Sequence, residues 1–188
     1  MSIVPTVPFV ERDAAPGPVI DQFDQIHSAF GALPAMFRVV ANSPAALESM
    51  WGSFRAYGAG ALGPALSEQI AVAVANRNAC EYCLAAHTAL GRKAGVSGAA
   101  LEAAQSGESD DPATAALLAF ALKVVDQRGQ VTAADVEVLR DHDWSDEHIV
   151  ETIGQVAHNV FTNYINVALA VPVDFPAVSL RRATVRQG

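Results

Sequence analysis

Both cysteines of this 188-residue chain, Cys80 and Cys83, and one of its five histidines, His87, lie in the ten-residue stretch NACEYCLAAH, residues 78–87. On a helix, offsets of three and seven residues put the three side chains within an arc of about 60°. Cys83 is then an i, i+3 neighbour of Cys80 and an i, i+4 neighbour of His87, within reach of both. That pattern suits dithiol redox chemistry. The reactive species is the thiolate, and an ordinary thiol, with a pKa of about 8.5, is mostly protonated at neutral pH. An adjacent imidazole can take the proton, and a helix N-terminus adds partial positive charge. A second thiol can then attack a sulfenic acid formed on the first and close a disulfide. The helix N-terminus favours Cys80 as the activated thiol and the histidine favours Cys83, so the residues alone leave the assignment open.

Glu68 stands twelve residues before Cys80. On one unbroken helix it would lie roughly 18 Å away along the axis. A fold-back at Asn76–Asn78, residue types tolerated in turns, would instead set two antiparallel helices side by side and bring Glu68 to His87. A carboxylate there orients the imidazole and raises its basicity, as in any nucleophile–base–orienter relay.

The elements that must position these residues read as helices throughout. Alanine is abundant, apolar residues recur at three- and four-residue spacing, and strand signals are scarce. Residues 1–20 form a proline-punctuated extended arm, residues 21–175 a single all-helical domain, and residues 176–188 a tail. Short helices are expected in DQFDQIHSAF, closed by Gly31, and in PAMFRVVAN. A third starts at Ser43 as N-cap with Pro44 at its first position. LSEQIAVAVANRN, with Ser67 as its candidate cap, is apolar on most faces and should be buried. The cysteine helix runs from about 80 to 94 and ends at Gly95. A short helix in SGAALEAAQSG and another starting near Pro112 follow. Thr132 and Asp135 form a capping-box pattern, and a long apolar helix runs from Ser145 to before Pro172. A weak likeness between LSEQIAVAVANRN and WSDEHIVETIGQVAHN favours a two-lobed arrangement.

Composition narrows the function. Half the residues are apolar, yet no uninterrupted apolar run reaches the roughly eighteen residues of a membrane span. The net charge of −8 disfavours nucleic acid, since phosphate binding needs clustered Lys and Arg, and the basic residues that do cluster (Arg181, Arg182, Arg186) sit in the tail. The N-terminus lacks the marks of a secretory signal, so a cytoplasmic, reducing setting is expected, where a cysteine pair is more often catalytic or metal-binding than structural.

SEQIAVAVANRNACEYCLAAH resembles the signature of the alkylhydroperoxidase D-like proteins of the carboxymuconolactone decarboxylase superfamily: a Glu, twelve residues to a Cys, three to a second Cys, four to a His. Here those are Glu68, Cys80, Cys83 and His87. LPAMFRVVANSP and NYINVAL with VPVDFP are similar to the peroxidase-related branch. The resemblance implies an all-α fold assembling as trimers or hexamers, and thiol-dependent reduction of organic hydroperoxides. It implies that Cys83 attacks the peroxide, Cys80 resolves it to a disulfide, and Glu68 with His87 relays the proton. One position departs from the family pattern: Tyr82 stands where the best-studied members carry a histidine. A phenol is a poor base near neutral pH but can donate a hydrogen bond and so position a substrate.

The implied partners are a hydroperoxide and an external dithiol or protein reductant, with no nucleic acid, no membrane, no cofactor and no metal. Two Cys, one His and one Glu would be a zinc ligand set by type, but their spacing is not that of a zinc finger. Two other readings are a carbon-acid enzyme of the decarboxylase branch, using Glu68 and His87 with the cysteines idle, and a non-enzymatic redox sensor. His27, His142 and His148 read as surface or cap residues, and His158 as a core or interface polar group. Asn163 and Asn166, three apart on an apolar helix, must line a pocket or an interface, because buried amides need partners. Trp51, Phe54 and Tyr57 read as core.

Overall fold

The computed structural model describes residues 4–181. Among these, nine α-helices and a short 3-10 turn account for all regular structure: α1 Gly17–Phe30, α2 Ala35–Val40, α3 Pro44–Gly58, α4 Gly63–Arg77, α5 Glu81–Lys93, α6 Gly98–Ala104, α7 Pro112–Asp126, α8 Ala133–Arg140 and α9 Asp146–Ala168. The fold is all-α, as the periodicity predicts, and no helix of the described residues is long and apolar enough to cross a membrane. Residues 182–188 of the predicted tail, with Arg182 and Arg186, lie outside the described residues.

Helix α4 is the hub. It forms an antiparallel pair with α5 and packs against α9, α7 and α6. Its run Ile70–Ala75 is buried at every position, the expected result of a helix apolar on most faces. Alanines 71, 73 and 75 keep its surface low, which lets neighbouring helix axes approach closely. Around it, α1 packs on α3, and Phe30, Phe37, Trp51 and Phe54 form an aromatic cluster with ring centroids 5.6–6.4 Å apart. Trp51 and Phe54 thus belong to the core.

Most helix ends follow local signals. The side chain of Ser43 accepts from Ala46 N, and those of Thr132 and Ser145 form capping boxes with Asp135 and His148. Two ends differ from expectation. The first helix starts at Gly17, inside the predicted arm, because Pro16 and Pro18 supply the fixed φ that suits a helix start. Ser67 is not a cap: α4 starts at Gly63, and Ser67 sits inside it, accepting from Gln155 Nε2 at 2.9 Å. The α4 N-terminus is capped from another helix, by the Glu151 carboxylate, 2.7 Å from Ala61 N and 3.4 Å from Leu62 N.

The chain outside the helices is fastened over the domain. Thr6 N donates to Leu169 O and Val10 N to Arg38 O, tying the N-terminal arm to α9 and α2. After α9, Asp174 accepts from Ala35 N at 2.6 Å and so caps α2. Further on, Arg181 N donates to Asn76 Oδ1.

Candidate active site

The turn between α4 and α5 sets the cysteines. Asn78 is the C-cap of α4, Ala79 N donates to Asn76 O and Cys80 N to Ala75 O, the bond pattern of a Schellman motif. Ala79 takes the left-handed position, φ 53°, usually given to Gly or Asn. The motif reverses the chain, and its last residue, Cys80, becomes the N-cap of α5 in extended conformation. Cys80 therefore lies just outside the helix instead of within its stripe. Its Sγ accepts from Cys83 N at 3.2 Å, so one free N–H of the helix end is directed at the Cys80 sulfur. The two sulfurs are joined as a disulfide, with Cα atoms 5.4 Å apart. Both residues are buried.

The fold-back brings Glu68 to His87, as the break at Asn76–Asn78 predicts. His87 Nδ1 and Glu68 Oε2 are 2.8 Å apart, in a largely buried pair. With Nδ1 engaged by the Glu68 carboxylate, Nε2 is the ring nitrogen left free to exchange a proton. Among the described residues His87 makes no hydrogen bond to either sulfur. It meets Cys83 as a neighbour in the lining of a narrow apolar cavity, walled also by Phe30, Phe37, Phe54 and Phe175. Glu68, Cys80, Cys83 and His87 thus share one region, but no three of the described His, Cys, Asp and Glu residues converge as a metal-binding group.

Tyr82 lines the same cavity, with its ring edge-on to Phe175 at 5.7 Å. Its hydroxyl accepts from Met36 N at 3.3 Å. Burial, with the nearby Asp174 carboxylate, raises its pKa well above that of an ordinary phenol, so it remains neutral. In this arrangement Tyr82 binds α2 and the segment after α9 to the cysteine helix.

Sequence reasoning singled out Asn163 and Asn166 as a pair, and the fold separates their roles. Asn163 Oδ1 accepts from Asn78 Nδ2 at 2.9 Å, pinning α9 to the cysteine turn. Asn166 reaches the sulfur itself: its Nδ2 lies 3.2 Å from Cys83 Sγ and 3.2 Å from Met36 Sδ. The signal for this was two amides on an apolar helix, but the thiol contact spans 83 residues of sequence and no local pattern announces it. Met36 and Phe175 were likewise not foreseen.

On another side of His87 lies a second chamber, where Ser67, Glu68, His87, Gln155, His158 and Asn159 meet the apolar walls of Phe54, Tyr57 and Ala71. His158 packs edge-on to Phe54, ring centroids 4.4 Å apart. Its Nε2 and Asn159 Oδ1 are buried without a hydrogen-bond partner among the described residues. Burial, and then the charge of His87, lower the His158 pKa to about 4, so it is a neutral imidazole. His148 is a cap and His27 is exposed, as expected from sequence, while His142 is half-buried.

Residues 43–127 match the carboxymuconolactone decarboxylase family. The matched stretch runs from the start of α3 to the end of α7 and includes Glu68, Cys80, Cys83 and His87. The fold is similar to that of a peroxidase-related protein with an alkylhydroperoxidase AhpD core from Ralstonia eutropha JMP134, at 24% identity over 93% of this chain and 94% of that one, TM-score 0.85. A peroxidase-related protein from Silicibacter sp. TM1040 matches at 24% identity over 93% of both chains, TM-score 0.78. The debrominase Bmp8, solved as a cysteine variant with 2,3,4-tribromopyrrole, matches at 21% identity over 93% of this chain and 92% of that one, TM-score 0.75. At these identities the likeness establishes the fold. No curated protein matches by sequence.

Proposed function

We propose that the protein is a cysteine-pair peroxidase that reduces organic hydroperoxides. The observation that carries this reading is the hydrogen-bonded Glu68–His87 pair beside a cysteine that shares its apolar cavity and is already bonded to a second cysteine. In the reduced protein His87 Nε2 takes the Cys83 proton, with Glu68 balancing the imidazolium charge. The Cys83 thiolate attacks the terminal oxygen of the hydroperoxide and the O–O bond breaks. The alkoxide leaves with the proton from His87, and Cys83 becomes a sulfenic acid. Cys80, 5.4 Å away at Cα, displaces water and forms the disulfide. An external dithiol then reduces the disulfide by exchange and is itself oxidised. The aromatic walls favour organic peroxides over hydrogen peroxide.

The test uses the fact that the chain has only two thiols. Reduced protein receives one equivalent of cumene hydroperoxide while free thiols and intact mass are followed. Loss of both thiols with loss of two hydrogens, abolished in Cys83→Ser, supports the reading. Persistence of both thiols refutes it and moves attention to Glu68 and His87 acting on a carbon acid.

The aromatic cavity beside Cys83 favours a second reading, reductive removal of halogen from a small aromatic ring, the reaction type named for the debrominase of similar fold. Here two thiols become a disulfide while the carbon–halogen bond is replaced by carbon–hydrogen and halide is released. Halide release from a bromopyrrole, without cumene hydroperoxide turnover, distinguishes it.

The protein is further proposed to be a homo-oligomer. Val150, Ile153, Ala157, Val160, Tyr164 and Val167 recur along α9 at three- and four-residue steps, and Val150, Tyr164 and Val167 are 69%, 62% and 54% exposed. A stripe of that spacing on one long helix fits the same face of a second copy.

A further inference from the structure

We propose that Asn166 is a further catalytic residue: its side-chain N–H holds the Cys83 thiolate, and its carbonyl oxygen receives the O–H of the incoming hydroperoxide. This rests on the peroxidase reading of the site.

Three observations converge on the amide. First, Cys83 needs a donor that its own helix does not supply. A buried thiolate in apolar surroundings is costly unless hydrogen-bonded, and the N–H of Cys83 is directed at the Cys80 sulfur. Among the described residues, Asn166 Nδ2 is the hydrogen-bond donor to Cys83 Sγ, at 3.2 Å. Second, the amide is held in place. Its other N–H meets Met36 Sδ at 3.2 Å, and the residue is only 3% exposed on a helix packed against α4 and α5. With both N–H groups on sulfur, the carbonyl faces away from the donors. Third, that carbonyl oxygen, Asn166 Oδ1, is buried and has no hydrogen-bond partner among the described residues. An amide oxygen left bare in a core is unfavourable, and native structures rarely keep one without a use. Asn166 lines the cavity shared by Cys83 and His87, whose exposed lining is almost entirely apolar, so a substrate donor reaches this oxygen as the side chains around it part.

A hydroperoxide brings that donor. Its terminal oxygen, the one the sulfur attacks, carries the hydrogen. With the O–H on Asn166 Oδ1, the attacked oxygen is held against a thiolate anchored by the same amide. As the S–O bond forms and the O–O bond breaks, this hydrogen stays on oxygen and becomes the sulfenic acid proton, still on Asn166 Oδ1. The departing alkoxide takes its proton from His87. Cys83 is oxidised and the peroxide reduced, with no further reactant. One amide thereby serves both the nucleophile and the electrophile, an arrangement that fixes their relative position before reaction.

The experiment separates the two halves. In a Cys80→Ser background only Cys83 titrates, and the pH dependence of its alkylation by iodoacetamide gives both its pKa and its rate per thiolate. Asn166→Leu is expected to raise the Cys83 pKa by about one unit, a tenfold loss of thiolate below the pKa. Its alkylation rate per thiolate stays unchanged, because iodoacetamide places no O–H on the amide. Its rate with cumene hydroperoxide per thiolate falls about tenfold further. Asn166→Asp keeps the shape and the acceptor but puts an anion beside the sulfur. It raises the pKa at least as much while retaining the peroxide rate per thiolate, and it provides the reading if the Leu variant does not fold. An unchanged pKa and peroxide rate in both variants overturns the role of Asn166 and leaves the peroxidase reading intact. Equal loss of both rates per thiolate also overturns it, showing only displaced geometry. A wild-type Cys83 that alkylates readily but never reacts with hydroperoxide overturns the peroxidase reading, and the carbonyl's role with it.

Discussion

His158 gives the protein a defined weakness in mild acid. Its imidazole has an ordinary pKa of 6.5 in the unfolded chain, lowered to about 4 in the folded protein by burial and by His87. Between those values the unfolded state binds a proton that the folded state refuses, so stability falls as pH falls. The contribution is fully present above pH 6.5, is lost progressively on the way down, and levels off below about pH 4. At about 1.4 kcal/mol per pKa unit, the interval corresponds to about 3 kcal/mol. That is a large share of the stability of an ordinary domain. The native ion-paired carboxylates act lower: Asp135 is held down to about 2 by Lys123 and Thr132, against 3.8 unfolded, so its stabilisation is lost below the His158 window. The assay is urea unfolding at half-unit pH steps from 7.5 to 4 for wild type and His158→Phe. The wild type is expected to lose about 3 kcal/mol more than the variant across this range. Parallel curves would refute the reasoning, because they would mean that His158 titrates alike in both states.

Three further outcomes are expected. Glu68→Gln removes the charge that makes His87 Nε2 basic, and should slow oxidation of Cys83 by cumene hydroperoxide about a hundredfold in stopped flow, with unchanged circular dichroism; a rate within twofold of wild type counts against the relay. Ala79→Gly relieves the left-handed alanine at φ 53° and should raise stability by up to about 1 kcal/mol, seen as a higher Tm, with a lower Tm the contrary result. Light scattering should give a mass above the 19.7 kDa of one chain, and Val150→Glu with Tyr164→Glu should reduce it to the monomer; a wild-type monomer at micromolar concentration would remove the case for the α9 interface.

Much of the fold is legible in the chain because helix signals are local. Proline at a first turn, Ser or Thr at an N-cap and apolar residues at three- and four-residue spacing act between near neighbours, and Ser43, Thr132 and Ser145 cap as their sequences predict. The Glu68–His87 contact is legible too, since a single turn at known residues decides it. Ser67 shows the limit. It looks like a cap, yet α4 begins four residues earlier, where Glu151 supplies the acceptor from 90 positions away. Cys80 marks the same boundary at closer range: helical spacing gives a three-residue stripe, but the left-handed turn at Ala79 sets the first cysteine outside the helix as its cap.

By itself, then, the sequence determined an all-helical chain with two thiols, an imidazole and a carboxylate at spacings one helix pair can bring together. Tertiary structure alone decided what surrounds the reactive sulfur. Asn166 and Met36 come from helices far apart in the chain, Phe175 and Asp174 from a segment beyond the last helix, and His158 from the opposite wall of the relay. Their positions follow from how apolar helix faces pack around α4, and packing is a property of surfaces meeting, to which no stretch of consecutive residues holds the key.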